Sequence, residues 1–92
     1  MQKRIECTVA GRVQMVMYRD FTARNARALG LFGTVKNTDE GSVFVVAEGE
    51  ESALLLFIEK LKQGSLLAHV EKADVLWKEP SGEFSDFRIV YA

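Results

Sequence analysis

The pattern of apolar and polar residues predicts five strands. Segments with strict alternation are typical of strands that bury one face, and they occur near both ends of the chain. Residues 42–49 are apolar on both faces, which predicts a strand in the middle of a sheet. The predicted strands cover residues 4–10, 31–37, 42–49, 70–77 and 86–91.

Two other segments have the composition and period of helices. Residues 20–29 are rich in Ala and Arg and end at Gly30, a residue type that commonly terminates helices. A second helix opens at Glu50 and Glu51 and stops before Gly64. Its apolar residues follow the i, i+3, i+4, i+7 spacing of one buried stripe, which contains Leu54, Phe57, Ile58 and Leu61.

The element order is strand, helix, strand, strand, helix, strand, with an extra edge strand at the C-terminal end. Residues 38–42 have the composition of a hairpin turn, and the two helices supply the longer crossovers. This order predicts an α+β fold, a ferredoxin-like βαββαβ sandwich in which two helices cover one face of an antiparallel sheet. The length favours a single domain over residues 1–92.

Composition excludes several classes of function. The net charge of −1 argues against a general nucleic-acid binder, which needs a basic surface. No apolar run approaches the ~20 residues of a membrane helix, and the N-terminus does not have the pattern of a signal peptide. One cysteine and one histidine give neither an internal disulfide nor a His/Cys metal site. We therefore expect a cytoplasmic monomer without metal, cofactor, membrane or nucleic-acid partner.

The loop between the first strand and the first helix has an unusual composition. Its sequence, GRVQMVMYR, covers residues 11–19 and contains no proline, acid, serine, threonine or asparagine. No side chain of those types therefore competes for the backbone N–H groups. We expect Val13, Val16 and at least one of Met15 and Met17 to pack inward and fix the loop. Because the loop runs into a helix N-terminus, it predicts an anion cradle.

Arg19 at the end of this loop favours the same conclusion. A cation at a helix N-terminus faces the positive end of the dipole, and a bound anion would reverse that unfavourable interaction. The guanidinium fork suits a phosphate or a carboxylate. No Walker or dinucleotide motif is present, so a nucleotide is not expected. The spacing is also compatible with a purely structural role, in which Arg19 pairs with Asp20 or Asp39 and the loop is a packed connector.

A longer pattern in the same region resembles the acylphosphatase family. It consists of G-R-V-Q-x-V-x-Y-R-D-F from Gly11, then A-x-x-x-G-x-x-G-x-V-x-N and G-S-V, and finally F-x-I-x-Y in the last strand. The resemblance implies a metal-independent hydrolase that cleaves carboxyl-phosphate anhydrides to a carboxylate and inorganic phosphate without a covalent intermediate. The implied partners are the acyl phosphate substrate and the phosphate product.

The resemblance also implies which residues act. The phosphoryl group would be held by Arg19 and by the loop backbone at Val13, Gln14, Met15, Val16, Met17 and Tyr18. Asn37 would hold the attacking water, since an amide can both donate to and accept from it. On its own, an asparagine before a turn is more commonly a turn former. Met15 departs from the glycine that is usual in the family, and a positive φ there would add strain of about 1 kcal/mol.

The same topology is also compatible with a module that binds RNA or a small anion. An RNA-binding module would need aromatic residues on the central strands and a basic surface, which the first strand and the net charge do not provide. A small-anion sensor with little or no turnover remains an alternative, because Met15 could spare binding while it impairs chemistry.

Overall fold

A computed structural model describes residues 1–91; Ala92, the last residue of the predicted single domain, lies outside the described residues. The chain forms five strands and two helices in the predicted order. Each element lies within a few residues of its predicted position. The elements are β1 (Gln2–Arg12), α1 (Tyr18–Ala28), β2 (Phe32–Asn37), β3 (Val43–Glu50), α2 (Glu51–Gln63), β4 (His69–Lys78) and β5 (Phe87–Val90).

The strands form one sheet in the order β4-β1-β3-β2-β5. The predicted ferredoxin-like topology is confirmed, with β3 in the centre and the extra C-terminal strand at an edge. The pairs β1–β3, β1–β4 and β2–β3 are antiparallel, whereas β5 runs parallel to β2. The antiparallel prediction therefore holds for the first four strands, and the fifth makes the sheet mixed.

The parallel pairing of β5 follows from the path of the chain between the last two strands. Residues 79–86 connect β4 at one edge of the sheet to β5 at the other. Four strand spacings amount to roughly 19 Å, and eight extended residues can span about 26 Å. The connection therefore crosses the end of the sheet instead of turning back beside β4, and β5 enters the opposite edge in the direction of β2.

Both helices cover the same face of the sheet, and the core lies between them. Inward residues of β1 and β3 oppose one another in register, as Cys7 does with Val45. All four residues of the predicted stripe of α2 are buried. Burial of a large apolar side chain stabilises the fold by about 1.5–3 kcal/mol. The core residues include Ile5, Cys7, Val9, Val35, Val43, Val45, Tyr18, Ala23, Ala26, Leu54, Phe57, Leu61 and Phe87.

The helix-free face carries a buried ionic cluster instead of a second apolar layer. The carboxylate of Glu48 accepts from Arg4 Nη1 at 2.7 Å, from Ser81 N at 2.9 Å and from Gly82 N at 3.0 Å. Burial opposes the ionisation of Glu48, but the hydrogen bonds from Ser81, Arg4 and Gly82 outweigh it and lower its pKa to about 2. The cluster thus fastens the crossing segment 79–86 to the central strand.

A bulge in β1 directs the chain into the loop that follows. The register between β1 and β4 shifts between Ala10 and Gly11. Gly11 has φ +131°, and a Cβ there would lie 2.2 Å from the carbonyl oxygen of His69. Only glycine fits this position, because any side chain would collide with the neighbouring strand.

Candidate functional site

The loop after β1 makes two left-handed turns at non-glycine residues. Met15 has φ 60° and Met17 has φ 61°, and each such residue costs on the order of 1 kcal/mol. Their side chains are 97% and 70% exposed, so the prediction that at least one methionine packs inward is wrong. The space beneath the loop is filled instead by Val13 and Tyr18, with Val16 packed against them.

The backbone of this loop offers a row of N–H donors. Within residues 1–91, no hydrogen bond to a protein acceptor uses the N–H of residues 14–17. Helix α1 adds its first N–H groups, and its first donor is Phe21 N, which reaches Met17 O at 3.0 Å. No side chain caps the helix N-terminus. The loop and the first turn together therefore retain the donors that an anion cradle requires.

Arg19 lies on a cavity beside this loop. The cavity has a volume of about 410 Å³ and is lined by Val13, Met15, Met17, Tyr18, Arg19, Asp20, Ile89 and Tyr91. The Arg19 guanidinium stacks on the Tyr91 ring at 5.0 Å from the ring centroid. Such stacking holds a guanidinium in one orientation while its N–H edge stays available.

The alternative ion pairs of Arg19 are not formed. Among residues 1–91, Arg19 makes no ion pair with an Asp or Glu side chain. Asp20 instead pairs with Arg24 at 2.9 Å, one helical turn further along α1. The interpretation of Arg19 as a partner of Asp20 or Asp39 is therefore wrong. The carboxylate of Asp20 lines the cavity, and its charge is balanced by Arg24, which is not among the described cavity-lining residues.

Two side chains of the loop anchor it to the rest of the fold. Tyr18 is buried and donates from its hydroxyl to Leu61 O at 2.7 Å, and burial raises the pKa of Tyr18. Gln14 Nε2 donates to Thr38 O at 2.9 Å and to Ser42 O at 2.8 Å. Because both polar groups are engaged within the protein, these residues can offer an anion only their main-chain N–H groups.

Asn37 is the last residue of β2 and directly precedes Thr38, whose carbonyl oxygen accepts from Gln14. It pairs with Val43 across the hairpin. Asn37 is not among the described residues that line the Arg19 cavity; it lines a separate depression of about 320 Å³ together with Lys36, Thr38, Asp39 and Glu40. Its Oδ1 is buried and has no hydrogen-bond partner among the protein atoms described. A buried acceptor without a partner costs about 1–3 kcal/mol, so such an atom in a native fold calls for an explanation.

The aromatic and aliphatic wall of the cavity was not found from the sequence. Ile89 pairs with Val35 in parallel register, and Tyr91 follows two residues later on the same side of the chain. The alternation of the last strand indicates that Phe87, Ile89 and Tyr91 share a face. It does not indicate that this face lies against the start of α1, because that depends on which edge of the sheet β5 joins.

Other reactive groups of the described chain lie outside this site. Cys7 is buried in the core, and burial raises the pKa of its thiol to about 11, so it is not a nucleophile near neutral pH. Residues 1–91 contain no group of three or more His, Cys, Asp or Glu side chains arranged to hold a metal ion. No described helix has the length and apolar character needed to span a membrane.

Comparisons with known proteins include a family model, curated relatives and a solved structure that carry the same family name. The family model described as Acylphosphatase matches residues 5–89. A curated relative from Thermus thermophilus named acylphosphatase is 49% identical over 86% of this chain and 90% of its own length. One from Salinibacter ruber is 42% identical over 96% and 93% of the two chains. A solved structure of acylphosphatase from Bacillus subtilis superposes with a TM-score of 0.94 at 38% identity, covering 97% of this chain and 99% of the other.

Proposed function

The chain belongs to the acylphosphatase family, and we propose that it hydrolyses acyl phosphates to a carboxylate and inorganic phosphate. One observation carries the proposal beyond family membership. A loop with unused N–H donors and an arginine that forms no ion pair with a described carboxylate side chain share one cavity. Together these groups supply N–H donors and a positive charge, the two features that phosphoryl binding requires.

In the proposed mechanism the cradle binds the phosphoryl group first. The N–H groups of residues 13–18 and the guanidinium of Arg19 contact its non-bridging oxygens. Charge-assisted hydrogen bonds of this kind contribute about 1.5–3 kcal/mol each. The stacking of Arg19 on Tyr91 holds the planar guanidinium in place before the substrate binds, so little side-chain entropy is lost on binding. Donors held in position also stabilise the charge on the equatorial oxygens in the transition state.

Asn37 is proposed to orient the attacking water. Its side-chain amide can both donate to and accept from a water; because Oδ1 is closed to solvent in this conformation, the proposed contact uses Nδ2 or the flipped amide. The water oxygen forms a bond to phosphorus while the bond between phosphorus and the acyl oxygen breaks. The electron pair leaves with the carboxylate, and the protons of the water remain on the phosphate product. A carboxylate is a good leaving group, so positioning is sufficient and no general acid is required.

A contact between the cradle loop and the residue after Asn37 also supports this assignment. Gln14 belongs to the cradle, and its side chain contacts the carbonyl of Thr38, the residue that follows Asn37. A single side chain thus links the phosphoryl-binding loop to the end of β2. We expect the water held by Asn37 to lie between the end of β2 and the cradle loop.

A second candidate function is a small-anion sensor with little turnover. Met15 favours it, because its exposed side chain lines the cavity at a position where the family usually has glycine. A side chain there would leave the N–H donors in place and still hinder the approach of water or substrate.

Hydrolysis of benzoyl phosphate tests both candidates. We expect turnover that inorganic phosphate inhibits competitively and that a chelator does not change. Binding of inorganic phosphate measured by calorimetry, without turnover of any acyl phosphate, would favour the sensor. Neither turnover nor phosphate binding would contradict both proposals.

A further inference from the structure

An apolar groove lies next to the Arg19 cavity. It has a volume of about 360 Å³ and runs between the cradle loop and the connection from α2 to β4. Its apolar lining consists of Val16, Met17, Phe21, Leu66 and Leu67. Met17 lines both the groove and the Arg19 cavity, so the two spaces are neighbours separated by one residue.

Three of the five apolar residues that line this groove are exposed. Leu66 is 98% exposed, Leu67 is 65% exposed, and Met17 is 70% exposed. Single exposed apolar residues are ordinary on protein surfaces, but a group that lines one concave space indicates a binding surface. Ser65, beside these leucines, is directed at the cradle, with its Oγ 3.5 Å from Val16 O. The leucines therefore belong to the surroundings of the cradle.

The groove carries no unbalanced charge. Of the described residues that line it, only Arg24 is charged, and Asp20 pairs with that guanidinium at 2.9 Å. A carboxylate on the ligand would have to compete with Asp20 for Arg24. An uncharged hydrocarbon would cover the leucines and Met17 and displace water from them.

We infer that this groove binds the acyl group of the substrate and that the enzyme prefers acyl phosphates with an uncharged apolar acyl chain or ring. The inference rests on the proposed function, because the phosphoryl group must occupy the Arg19 cavity for the acyl group to extend past Met17. It concerns selectivity among acyl phosphates and not the cleavage itself.

A chain-length series measures this selectivity. Acetyl, butanoyl, hexanoyl and succinyl phosphate are compared by kcat/KM, each normalised to its spontaneous hydrolysis. We expect an increase of roughly two- to threefold per methylene group for the uncharged series, since the groove is open to solvent on one side. Succinyl phosphate, which carries a second carboxylate, should fall below butanoyl phosphate.

A double substitution tests whether Leu66 and Leu67 contact the acyl group. The variant with Leu66→Ser and Leu67→Ser should reduce the ratio of hexanoyl to acetyl kcat/KM by about fivefold or more. The matched control combines Leu55→Ser and Leu56→Ser, two exposed leucines on α2, and should keep the wild-type ratio. Circular dichroism checks that both variants fold.

The outcomes separate this inference from the proposed function. Hydrolysis of acetyl phosphate with a flat chain-length profile would overturn the inference alone. An equal fall of the ratio in both double variants would also overturn it, because the effect would then not belong to the groove. Failure to hydrolyse any of the four compounds would overturn the proposed function together with the inference.

Discussion

The side-chain amide of Gln14 donates to the carbonyl oxygen of Thr38 at 2.9 Å and so joins the cradle loop to the β2–β3 hairpin. The second bond of the same amide, to Ser42 O, closes the hairpin on its other side. Two loops that are distant in sequence thereby become one unit, with Arg19 on one part and Asn37 on the other. The distance between substrate and water in the proposed mechanism depends on this contact.

Replacement of Gln14 is expected to loosen the cradle. Gln14→Ala removes two hydrogen bonds and should lower the free energy of unfolding by about 1–2 kcal/mol. It should also raise KM and the inhibition constant of phosphate by about tenfold, because the loop must then be ordered on binding. Gln2→Ala is the matched control, since Gln2 bonds to Glu50 at the exposed start of β1. Unchanged kinetics with lowered stability would show that the contact is only structural.

Arg19 is expected to be essential for anion binding. Arg19→Ala should weaken phosphate binding by 10²-fold or more and nearly abolish turnover, because the charge and two donors are lost together. Arg19→Lys should restore only part of the activity, since an ammonium cannot form the planar fork. Arg88→Ala removes an exposed, ion-paired arginine of β5 and serves as the control. Tight phosphate binding by Arg19→Ala, measured by calorimetry, would contradict the assignment.

Asn37 is expected to affect the chemical step and not binding. Asn37→Ala should lower kcat by on the order of 10²-fold, while the inhibition constant of phosphate stays within about twofold. The substitution removes the only amide proposed to hold the water but leaves the cradle in place. If the phosphate constant rises and kcat stays unchanged, Asn37 contributes to binding and the water-holding role is wrong.

Met15 is expected to strain the cradle without contributing contacts. Met15→Gly should raise the free energy of unfolding by about 1 kcal/mol at most, because glycine adopts φ 60° without penalty but also gains freedom in the unfolded chain. Met15→Ala keeps the Cβ and should leave stability within about 0.5 kcal/mol of wild type. Activity of Met15→Gly should hold or rise. A sharp loss of kcat in this variant would mean that the methionine is part of the working site.

Glu48 is expected to control stability in acid. Its pKa is about 2 in the folded protein and 4.5 ordinarily, so its contribution is complete above pH 4.5 and is lost as the pH falls toward 2. A shift of this size corresponds to on the order of 3 kcal/mol. Glu48→Gln should therefore destabilise the protein at pH 7, and its unfolding free energy should approach the wild-type value only as the pH falls to about 2.

Urea unfolding at several pH values measures this difference. Glu83→Gln changes an exposed carboxylate of the same crossing segment and is the control. A constant difference between Glu48→Gln and wild type from pH 7 to pH 2 would show that the ionisation of Glu48 does not stabilise the fold.

The local pattern of apolar and polar residues predicted the helices and strands, because each element has its own repeat of buried positions within one segment. The stripe Leu54, Phe57, Ile58 and Leu61 identified α2, and the apolar run before Gly49 identified the central strand. The loop composition, its position before a helix and Arg19 also pointed to an anion site. All of these features arise from residues a few positions apart, where backbone geometry fixes which side chains share a face.

The sequence by itself determined the order of the elements, the buried stripes and the resemblance to one family. The tertiary structure decided that β5 joins β2 in parallel, that Tyr91 stacks on Arg19, that both methionines point outward and that Gln14 fastens the cradle to the hairpin. These relationships join residues far apart in the chain. They depend on which strand edges and loops meet when the core is packed. The pattern of apolar residues within one segment does not predict those long-range contacts.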